Sequence, residues 1–398
     1  MLFEEYELNE DQRAMRATAR RFAKEHIKPI ASEIDRIVDP KDNFPWDMFK
    51  AASRLGMRTL ALPENYGGIN ADLVTKLVVA QELGYGDVIC AKIISQCWKT
   101  SQILYDAGTQ EQRESFLSDY RDDDTYLISV ALTEPEAGSD NLLPYNEPGG
   151  GMQLSARKEK GGYVLNGTKH FIANGNVSKL FIVAARTDPD APVKQGTSFF
   201  LVPKDTPGFS ILSLHDKVGF RAYGQAELVL EDVFEPKENL LGGKENVDTV
   251  SQAVTPYSKL DIAIHSLTLM ESAYNSAFEY AQIRVQGGKP IIEHQIIAAM
   301  LADMYISIQA AQGMIRQMVR LTERGEWDPK LALACKVFIG EAAVKLAIAA
   351  MEVFGGYGVM KEMPMEKHVR DSLIFLHIDG TNQINRQKIC NLLKAQEQ

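Results

Sequence analysis

The sequence predicts an α+β fold with an N-terminal helical domain, a middle antiparallel β-domain that forms a sandwich or barrel, and a C-terminal helical bundle. Three observations predict it: helical runs with few internal Gly or Pro residues near the start, short β-rich runs in the middle third, and long apolar runs of helical spacing near the end. A chain of 398 residues is long enough for two or three domains. We expect them at residues 1–126, 127–240 and 241–398.

The N-terminal third has the pattern of helices joined by short connections. Asn9 is of a residue type that caps helices, and the run Asp11–Ile37 has no Gly or Pro before residue 29. Turn signals follow at Asp39-Pro40 and at Pro63–Gly68. This pattern predicts about five or six helices before the β-domain.

The middle third contains short β-rich runs separated by Gly, Pro, Asn and Asp. The runs are Tyr126–Leu132, Tyr163–Leu165, Leu180–Ala185, Ser198–Val202, Phe209–Leu214 and Glu227–Val233. Asn166-Gly167 stands between apolar stretches and predicts a tight turn. Strands of this length and spacing predict a small antiparallel β-domain.

The final third returns to helices, and these are long. One apolar stripe recurs at alternating spacings of three and four: Leu301, Met304, Ile308, Ala311, Ile315 and Met318. The run Leu331–Phe354 is apolar nearly all round, which is typical of a helix buried in a bundle or between subunits. Gly355-Gly356 ends that helix.

Composition and charge exclude several classes of protein. A net charge of -10 and a pI near 5.4 argue against nucleic acid or an anionic membrane as a partner. Every long apolar run is interrupted by charged residues, so we expect no membrane span. The N-terminus lacks a basic segment followed by an apolar one, and the four cysteines form no C-x-x-C pair, so we expect a cytoplasmic protein with free thiols and no metal site.

Asp379 is the candidate base. It follows the apolar run Leu373–Ile378 and directly precedes Gly380-Thr381. A carboxylate at the edge of an apolar segment is poorly solvated, so its pKa is expected to rise and it can act as a base near neutral pH. The alternative is an ordinary helix terminus, in which Asp is a cap and Gly a stop.

Six short sequence strings occur in the same order as in a known protein family. They are Leu132–Asp140 (LTEPEAGSD), Lys169–Gly175 (KHFIANG), Arg284–Gln295, Phe354–Gly358 (FGGYG), Arg370-Asp371 and Gly380-Thr381. On these strings, and on the order helices, β-domain, helices, the chain resembles the FAD-dependent acyl-CoA dehydrogenase family over essentially its whole length.

The resemblance implies a set of cofactor-binding and substrate-binding residues. The implied FAD contacts are Leu132, Thr133, Gly138, Ser139, Phe171, Ile172, Ala173, Arg284, His294, Gln295, Glu352, Gly355, Gly356, Thr381 and Gln383. The implied acyl-CoA contacts are Ser139, Lys259, Gly380 and Arg386.

The chemistry of some of these side chains also fits a bound flavin nucleotide without the resemblance. Thr133 and Ser139 offer hydroxyls to the polar edge of a flavin, Phe171 a flat face, and Arg284 a planar charged fork for a pyrophosphate. Taken singly, the same residues fit a turn, a core aromatic and a surface salt bridge.

The activity that the resemblance implies is removal of two hydrogens from adjacent carbons. Asp379 takes the proton α to the thioester carbonyl, and the β-hydride passes to the flavin N5. The resemblance further implies an electron-transferring flavoprotein as acceptor. It also implies a homo-oligomer, most often a tetramer, because in the family Arg284 and the Gly355-Gly356 pair come from neighbouring subunits.

Departures from the family pattern bear on the substrate. The family usually has Glu at the position of Asp379, and the base location used by some relatives is Ser258 here, which cannot serve. A shorter base leaves room for a ring, as in dehydrogenation of cyclohexane-1-carboxyl-CoA to cyclohex-1-ene-1-carboxyl-CoA. The alternatives are a short- or medium-chain or dicarboxylic acyl-CoA dehydrogenase, 1,4-elimination on a cyclic enoyl-CoA, and a non-catalytic acyl-CoA-binding relative.

The segment Gly86–Ser101 is expected to line the acyl pocket by the same resemblance. Its mixed polar content argues against a long fatty-acyl tunnel. Asp87 or Lys92 could contact a ring, and the alternative is that both lie on a solvated helix face. Lys259 stands where relatives have an Arg near the CoA end, so a planar fork is lost there.

Overall fold

The computed structural model describes residues 2–142, 150–246 and 249–395, with side chains left out of the description at residues 142 and 249–257. Helices occupy both ends of the chain, so the predicted order of helices, β-domain and helices is confirmed. The N-terminal helices are α1 (Glu10–Phe22), α2 (Ala31–Arg36), α3 (Trp46–Arg54), α4 (Leu73–Gly84), α5 (Val88–Ala107), α6 (Gln110–Gln112) and α7 (Ser118–Asp122). The C-terminal helices are α8 (Thr249–Ile283), α9 (Gln295–Glu323), α10 (Pro329–Phe354), α11 (Met365–Ile374) and α12 (Asn382–Lys394).

Side-chain caps define where several helices begin. Asn9 accepts a hydrogen bond from the backbone N–H of Gln12, as its residue type predicts. Asp87 caps α5 through the N–H groups of Ile89 and Cys90. Each cap satisfies N–H donors that a helix cannot pair internally, so it fixes the first turn of the helix.

The middle segment forms one seven-stranded sheet. Its strands are β1 (Ile128–Ala131), β2 (Ser155–Glu159), β3 (Gly162–Ala173), β4 (Leu180–Arg186), β5 (Thr197–Pro203), β6 (Phe209–Leu214) and β7 (Gln225–Pro236). Their order is β1-β4-β2-β3-β7-β6, with β5 paired to β4. Most neighbours are antiparallel, as predicted, whereas β1 and β2 each pair with β4 in parallel. A small hairpin, β8 (Val285–Gln286) and β9 (Lys289–Pro290), follows α8.

The tight turn predicted at Asn166-Gly167 is wrong. Both residues lie inside β3, where the pairing with β7 shifts register between Leu165 and Gly167. Gly167 has φ near +142°, and a Cβ there would lie 2.9 Å from Leu154. Gly167 therefore allows a β-bulge and a close approach of two chain segments. An Asn-Gly pair at such a bulge looks the same in the sequence as an Asn-Gly pair in a hairpin turn.

The helical domains share one hydrophobic core, and the sheet has a second one. The larger core joins residues of α4 and α5 to residues of α8, α9 and α10. α8 is the central helix, since it packs against α4, α5, α9 and α10. The two helical ends of the chain are thus one packed unit.

Lys367 links all three parts of the chain at one buried point. Its ammonium contacts Asp87 Oδ2 at 2.6 Å and Asp371 Oδ2 at 2.7 Å. Asp371 also accepts a hydrogen bond from the backbone N–H of Phe220, at 2.8 Å. Because Asp87 caps α5, Phe220 lies before β7 and Lys367 lies on α11, this three-domain junction fixes how the three parts meet.

Candidate active site

Asp379 lies in the turn between α11 and α12. Its backbone is left-handed, with φ of 53°, and Gly380 follows with φ of 86°. Thr381 caps α12 through the N–H of Ile384, at 3.2 Å. A left-handed non-glycine residue costs free energy, and such residues concentrate at functional sites. The two left-handed residues lie between α11 and α12 and position the Asp379 side chain in this turn.

Three lysines from three helices hold this turn. Lys99 of α5 donates to both Asp379 carboxylate oxygens, at 3.0 and 3.1 Å. Lys259 of α8 donates to the backbone carbonyl of Asp379 at 2.7 Å. Lys336 of α10 donates to the backbone carbonyl of Gly380 at 2.8 Å and to Asn382 Oδ1 at 2.7 Å. The position of the carboxylate is thus fixed by contacts to the side chain and to the backbone.

The predicted rise in the pKa of Asp379 is wrong. Burial raises the pKa of Asp379, but the positive charges of Lys99, Lys259 and Lys92 have the larger effect and lower the pKa to about 2. A nearby cation favours the charged form of a carboxyl group more than the apolar run before it disfavours that form. The contact with Lys99 therefore favours the ionised form of Asp379 and makes it a weaker base while the contact lasts.

Lys92 belongs to a buried polar chain behind this turn. Its ammonium makes a short contact with Asp261 Oδ2 and donates to Gln96 Oε1 at 3.0 Å. Asp261 Oδ1 lies 3.2 Å from His265 Nε2, and Ser95 Oγ lies 2.9 Å from the same nitrogen. The expectation that Lys92 and Asp87 lie on a solvated helix face is therefore wrong, since both are buried in ion pairs, while a contact of either with a substrate ring stays a prediction.

A loop of the β-domain closes one side of the Asp379 turn. Tyr223 is fully buried, and the negative charges of Asp379 and Asp261 help to raise its pKa after the larger effect of burial. The neighbouring Gly224 accepts a hydrogen bond from Asn174 N–H at 2.7 Å, at the end of β3. The loop thus joins the Asp379 turn to the strand end that carries Phe171, Ile172 and Ala173.

The first two strings of the resemblance meet in space. Thr133 follows β1, and its carbonyl accepts a hydrogen bond from His170 N–H at 2.8 Å. Ser129 Oγ donates to the Ala173 carbonyl at 2.6 Å. Phe171 is 51% exposed, while Ile172 beside it is buried. Leu132, Gly138 and Ser139 are each partly exposed on the same loop after β1.

The end of β3 has features that fit a flat, polar cofactor. Phe171 has φ of 56° and Asn174 has φ of 54°, both left-handed. Buried polar atoms without a hydrogen-bond partner in the described chain gather here: His170 Nδ1, Asn174 Oδ1, Asn176 Oδ1 and His215 Nε2. Unpaired buried polar atoms beside an exposed aromatic ring fit the donor and acceptor edge of an isoalloxazine.

A third group of predicted residues lies at the C-terminal end of α10, away from the Asp379 turn. The guanidinium of Arg284 lies 5.5 Å from the centre of the Tyr357 ring, and Tyr280 stacks on Phe354 at 4.2 Å. Gly355 and Gly356 are exposed beside them, as are Glu352 and Gln295. His294 Nε2 lies 3.0 Å from the Gln286 carbonyl. Within one chain Arg284 thus lies beside Tyr357, the residue after the glycine pair, which differs from the expected meeting of these two elements across neighbouring subunits.

The remaining predicted contacts lie on α12. Gln383 is exposed, and Arg386 is paired with Glu341 at 2.7 Å. Two lysines that hold the Asp379 turn, Lys99 and Lys336, had no predicted role of their own, although Lys99 lies in the segment Gly86–Ser101 that was expected to line the acyl pocket. Tyr223 beside the turn was not predicted either. One available signal for Lys99 was its position in the predicted acyl-pocket segment, two turns after Lys92 and on the same helix face.

Family models match three successive segments of this chain. They are the acyl-CoA dehydrogenase N-terminal domain at residues 9–122, the middle domain at 129–233 and the C-terminal domain at 249–393. An acyl-CoA dehydrogenase of Bacillus subtilis is 34% identical over 97% of this chain and 98% of its own length. A cyclohexane-1-carbonyl-CoA dehydrogenase of Syntrophus aciditrophicus is 31% identical over 98% of each chain.

A solved structure extends the likeness to three dimensions. It is a glutaryl-CoA dehydrogenase from Mycobacterium smegmatis in complex with FADH2, with a TM-score of 0.86, 26% identity, and coverage of 98% of this chain and 95% of that one. Fold and site together define a flavin-dependent oxidoreductase that acts on CH–CH groups. The chain belongs to the acyl-CoA dehydrogenase family, and its cofactor is FAD.

Replacing Lys99 with methionine should raise the pKa of Asp379, because the cation with the largest effect on it is removed. Lys259 and Lys92 remain, so the pKa stays below that of a buried carboxyl without cations. We expect the rate of flavin reduction by butyryl-CoA to have no acid limb above about pH 5 in the wild type and to acquire one in Lys99→Met. Rapid-mixing absorbance between pH 5 and 8 measures it, and an unchanged profile would contradict the assigned cause.

Proposed function

We propose that this protein dehydrogenates a CoA thioester between its α- and β-carbons, with Asp379 as the base. The observation that carries the proposal is the Asp379 turn itself. Its carboxylate is 23% exposed, and contacts from α5, α8 and α10 hold it in place. A base must be held within hydrogen-bond reach of the proton that it removes, and a held turn meets this requirement better than a mobile one.

Asp379 is the carboxylate best placed for the role. Ser258, at the other base location, is buried on α8 and has no carboxylate. Asp261, one turn further, is fully buried and engaged by Lys92 and His265. A carboxylate with no exposed surface cannot approach a carbon acid, whereas the Asp379 side chain is 23% exposed, so Asp379 remains.

The same turn offers a donor for the thioester oxygen. Among the described residues, the backbone N–H of Asp379 donates to no acceptor of the protein. Charge builds on the carbonyl oxygen as the α-proton leaves, and a fixed N–H near that oxygen stabilises it. Lys259 contributes by holding the carbonyl of the same residue, which sets the plane of the adjacent peptide.

Three groups of residues are proposed to hold FAD. Thr133, Ser139, Phe171, Ile172 and Ala173 would face the ring system, and Thr381 and Gln383 would lie near it. Arg284, His294, Gln295, Glu352, Gly355 and Gly356 would bind the nucleotide end. When bound, FAD supplies the acceptor for the β-hydride at its N5 position.

For the acyl group we propose an alicyclic ring such as that of cyclohexane-1-carboxyl-CoA. Two observations support this proposal. An Asp side chain is shorter than Glu by one C–C bond, roughly 1.5 Å, which leaves space between base and α-carbon. A relative named for cyclohexane-1-carbonyl-CoA is 31% identical over nearly the whole chain. Ser139, Lys259, Gly380 and Arg386 remain the proposed contacts to the thioester and the CoA arm.

Anaerobic bleaching of the flavin by defined thioesters tests the function. The panel is cyclohexane-1-carboxyl-CoA, cyclohex-1-ene-1-carboxyl-CoA, butyryl-CoA, octanoyl-CoA and glutaryl-CoA, each added to purified holoprotein. Bleaching by the saturated ring thioester at the highest rate is expected. Faster bleaching by a straight-chain thioester would contradict the alicyclic substrate and still support a dehydrogenase. If no thioester bleaches the flavin, the dehydrogenase function itself is contradicted.

The acceptor and the location are further proposals. We propose that an electron-transferring flavoprotein reoxidises the flavin, as the family resemblance implies. We also propose a cytoplasmic location, which is supported by free thiols at Cys90, Cys97 and Cys335, all buried, and at Cys390. A reducing compartment keeps such thiols unpaired.

We propose a homo-oligomer that covers the outer face of α9. This face carries Ile296 and Ile306, which are exposed and lie about 80° apart around the helix, and α10 adds Phe338 and Ile348. Among the described residues α9 is the one helix that is long and apolar enough to cross a bilayer by length and composition. A helix that packs on another subunit has the same composition, and the family resemblance favours a second copy of the chain as its partner.

Replacing Ile306 with lysine should dissociate the oligomer. Ile306 is 63% exposed in one chain. In an interface between two identical faces, a lysine at this position would be buried without a partner of opposite charge, which is unfavourable. Val38→Lys is the matched control, since Val38 is 80% exposed on the N-terminal side. Light scattering after gel filtration should give a smaller mass for Ile306→Lys alone. An unchanged mass would place the interface elsewhere.

A further inference from the structure

Two histidines lie beside Phe171 at the proposed flavin site, and the family resemblance assigns neither of them a role. His170 lies on β3 and His215 directly after β6, and their ring centres are 4.4 Å apart. The centre of the Phe171 ring lies 4.0 Å from that of His170 and 4.8 Å from that of His215. The backbone N–H of His170 donates to the Thr133 carbonyl, and that of His215 to the Gln225 carbonyl. Both histidines, here called the histidine pair, are therefore held in place by their strands.

One nitrogen of each ring is buried and unpaired. Among the residues that the structure describes, His170 Nδ1 and His215 Nε2 have no hydrogen-bond partner. A ring nitrogen of histidine can hold a proton and donate, or accept a hydrogen bond without one. Leaving such an atom buried and unpaired costs free energy, so a group that binds beside Phe171 is expected to meet it. The histidine pair can therefore respond to the charge of that group.

Glu227 is the carboxylate that faces the histidine pair. It lies on β7, and its Oε1 is 3.9 Å from His170 Nδ1. Its Oε2 accepts a hydrogen bond from Ser213 Oγ at 3.0 Å, which fixes the carboxylate. Burial lowers the pKa of His215, the positive charges of His170 and Lys217 lower it further, and Glu227 raises it. One carboxylate thus serves two imidazoles beside a lysine, so one more negative charge nearby would favour protonation of the pair.

The proposed dehydrogenation brings such a charge to this place. A hydride carries two electrons and one proton, so a flavin that receives it gains one negative charge unless a further proton follows. Stacked aromatic rings have their centres about 4.5–7 Å apart, so a ring on Phe171 would lie within roughly 12 Å of both imidazoles. Charges in a partly buried site are screened by salt less than exposed charges are, so they still interact over this distance.

We propose that His170 and His215 together take up one proton from solvent when the flavin is reduced and release it when the flavin is reoxidised. The inference rests on the proposed function and adds the histidine pair to its flavin site. The proton binds to an imidazole nitrogen and gives an imidazolium, and no electron moves in this step. Solvent can reach the pair, since the His170 side chain is 20% exposed. The imidazolium stabilises the negative charge of the reduced flavin, and this charge favours the imidazolium equally.

The midpoint potential of the bound flavin, measured against pH by spectroelectrochemistry without substrate, tests the inference. Its slope gives the number of protons that the holoprotein takes up per two electrons. Between about pH 6 and 8 we expect roughly two protons in the wild type and about one in the double variant His170→Asn/His215→Asn. His26→Asn is the matched control and should match the wild type. His26 also stacks on a phenylalanine, Phe22, at 4.8 Å, but it lies in the N-terminal domain.

A second readout locates the proton. Infrared difference spectra between the reduced and oxidised wild type, recorded with and without isotopically labelled histidine, should contain imidazolium bands that shift with the label. The double variant should lack these bands. The absorbance spectrum of the reduced flavin should be that of its anionic form in both proteins. A neutral reduced flavin in the wild type, without imidazolium bands, would place the proton on the flavin and overturn the inference.

Glu227→Gln tests the inference with both imidazoles in place. Removing the facing carboxylate disfavours the imidazolium, so the pH range of the extra proton uptake should move to lower pH. This variant decides the question if the double variant loses its flavin. A wild type that takes up about one proton at every pH, an unchanged number in a double variant that keeps flavin, or an unmoved range in Glu227→Gln would overturn the inference. These results would leave the proposed function intact, whereas a flavin that no thioester bleaches would contradict that function whatever the proton number.

Discussion

Asp379→Asn should reduce the rate of flavin reduction by the best thioester at least about 100-fold, within the range of 10²–10⁴ that a general base contributes. An amide cannot accept the α-proton, but it has nearly the shape of the carboxylate. Asparagine also tolerates the left-handed backbone that Asp379 adopts, with φ of 53°. The variant should therefore fold and keep its yellow colour, so the loss will report on chemistry. Stopped-flow absorbance at saturating thioester measures it.

A matched control for this substitution exists in the β-domain. Asp232 has φ of 50° and is exposed on β7, where it accepts a hydrogen bond from Asn166. Asp232→Asn makes the same change in the same backbone region and should leave the rate unchanged. If Asp379→Asn is as fast as Asp232→Asn, the base lies elsewhere. If Asp379→Asn loses flavin, the turn serves mainly to shape the cofactor site.

Lys367→Met should lower the free energy of unfolding by about 3–5 kcal/mol, the range for removing one partner of a buried ion pair. Methionine would leave Asp87 and Asp371 close together without the cation that now contacts both, at 2.6 and 2.7 Å. The pKa of Lys367 is raised well above its usual value because these carboxylates outweigh the effect of burial. Thermal and urea unfolding, followed by circular dichroism, measure the loss.

The control for this second prediction is an exposed lysine. Lys158 contacts Glu245 at 2.8 Å on the surface of the β-domain, and such pairs contribute at most about 1 kcal/mol. Lys158→Met should therefore shift the unfolding midpoint far less than Lys367→Met. Equal shifts in the two variants would mean that the three-domain junction contributes no more than an ordinary surface pair.

Local signals in the sequence predicted the elements of this fold well. Apolar periodicity identified α9 and α10, and β-rich runs identified most strands, since these depend on neighbours in the chain. The exception at Asn166-Gly167 shows the limit of local signals. The same dipeptide suits a turn and a bulge, and only the pairing of β3 with β7 decides between them.

The sequence predicted some features of the candidate site and missed others, because the missed features depend on residues that are distant in sequence. The position of Asp379 could be inferred, but its charge state could not, because Lys99 is 280 residues and Lys259 is 120 residues away in sequence. An apolar run next to a carboxylate is visible in the sequence, whereas an ammonium brought in by another helix is not. The pKa of a buried group follows its neighbours in space, so its direction needs the folded chain.

The helix α10 also limits how the length of this sequence can change. Lys336 near its start holds Gly380, while Gly355 and Gly356 follow its last residue, roughly 28 Å further along the axis. One inserted or deleted residue between these points would turn the glycine pair by about 100° relative to the Asp379 turn and move it by about 1.5 Å. Insertions are therefore tolerable in the loops around α10 and not within it, because α10 sets both the distance and the angle between the Asp379 turn and the glycine pair.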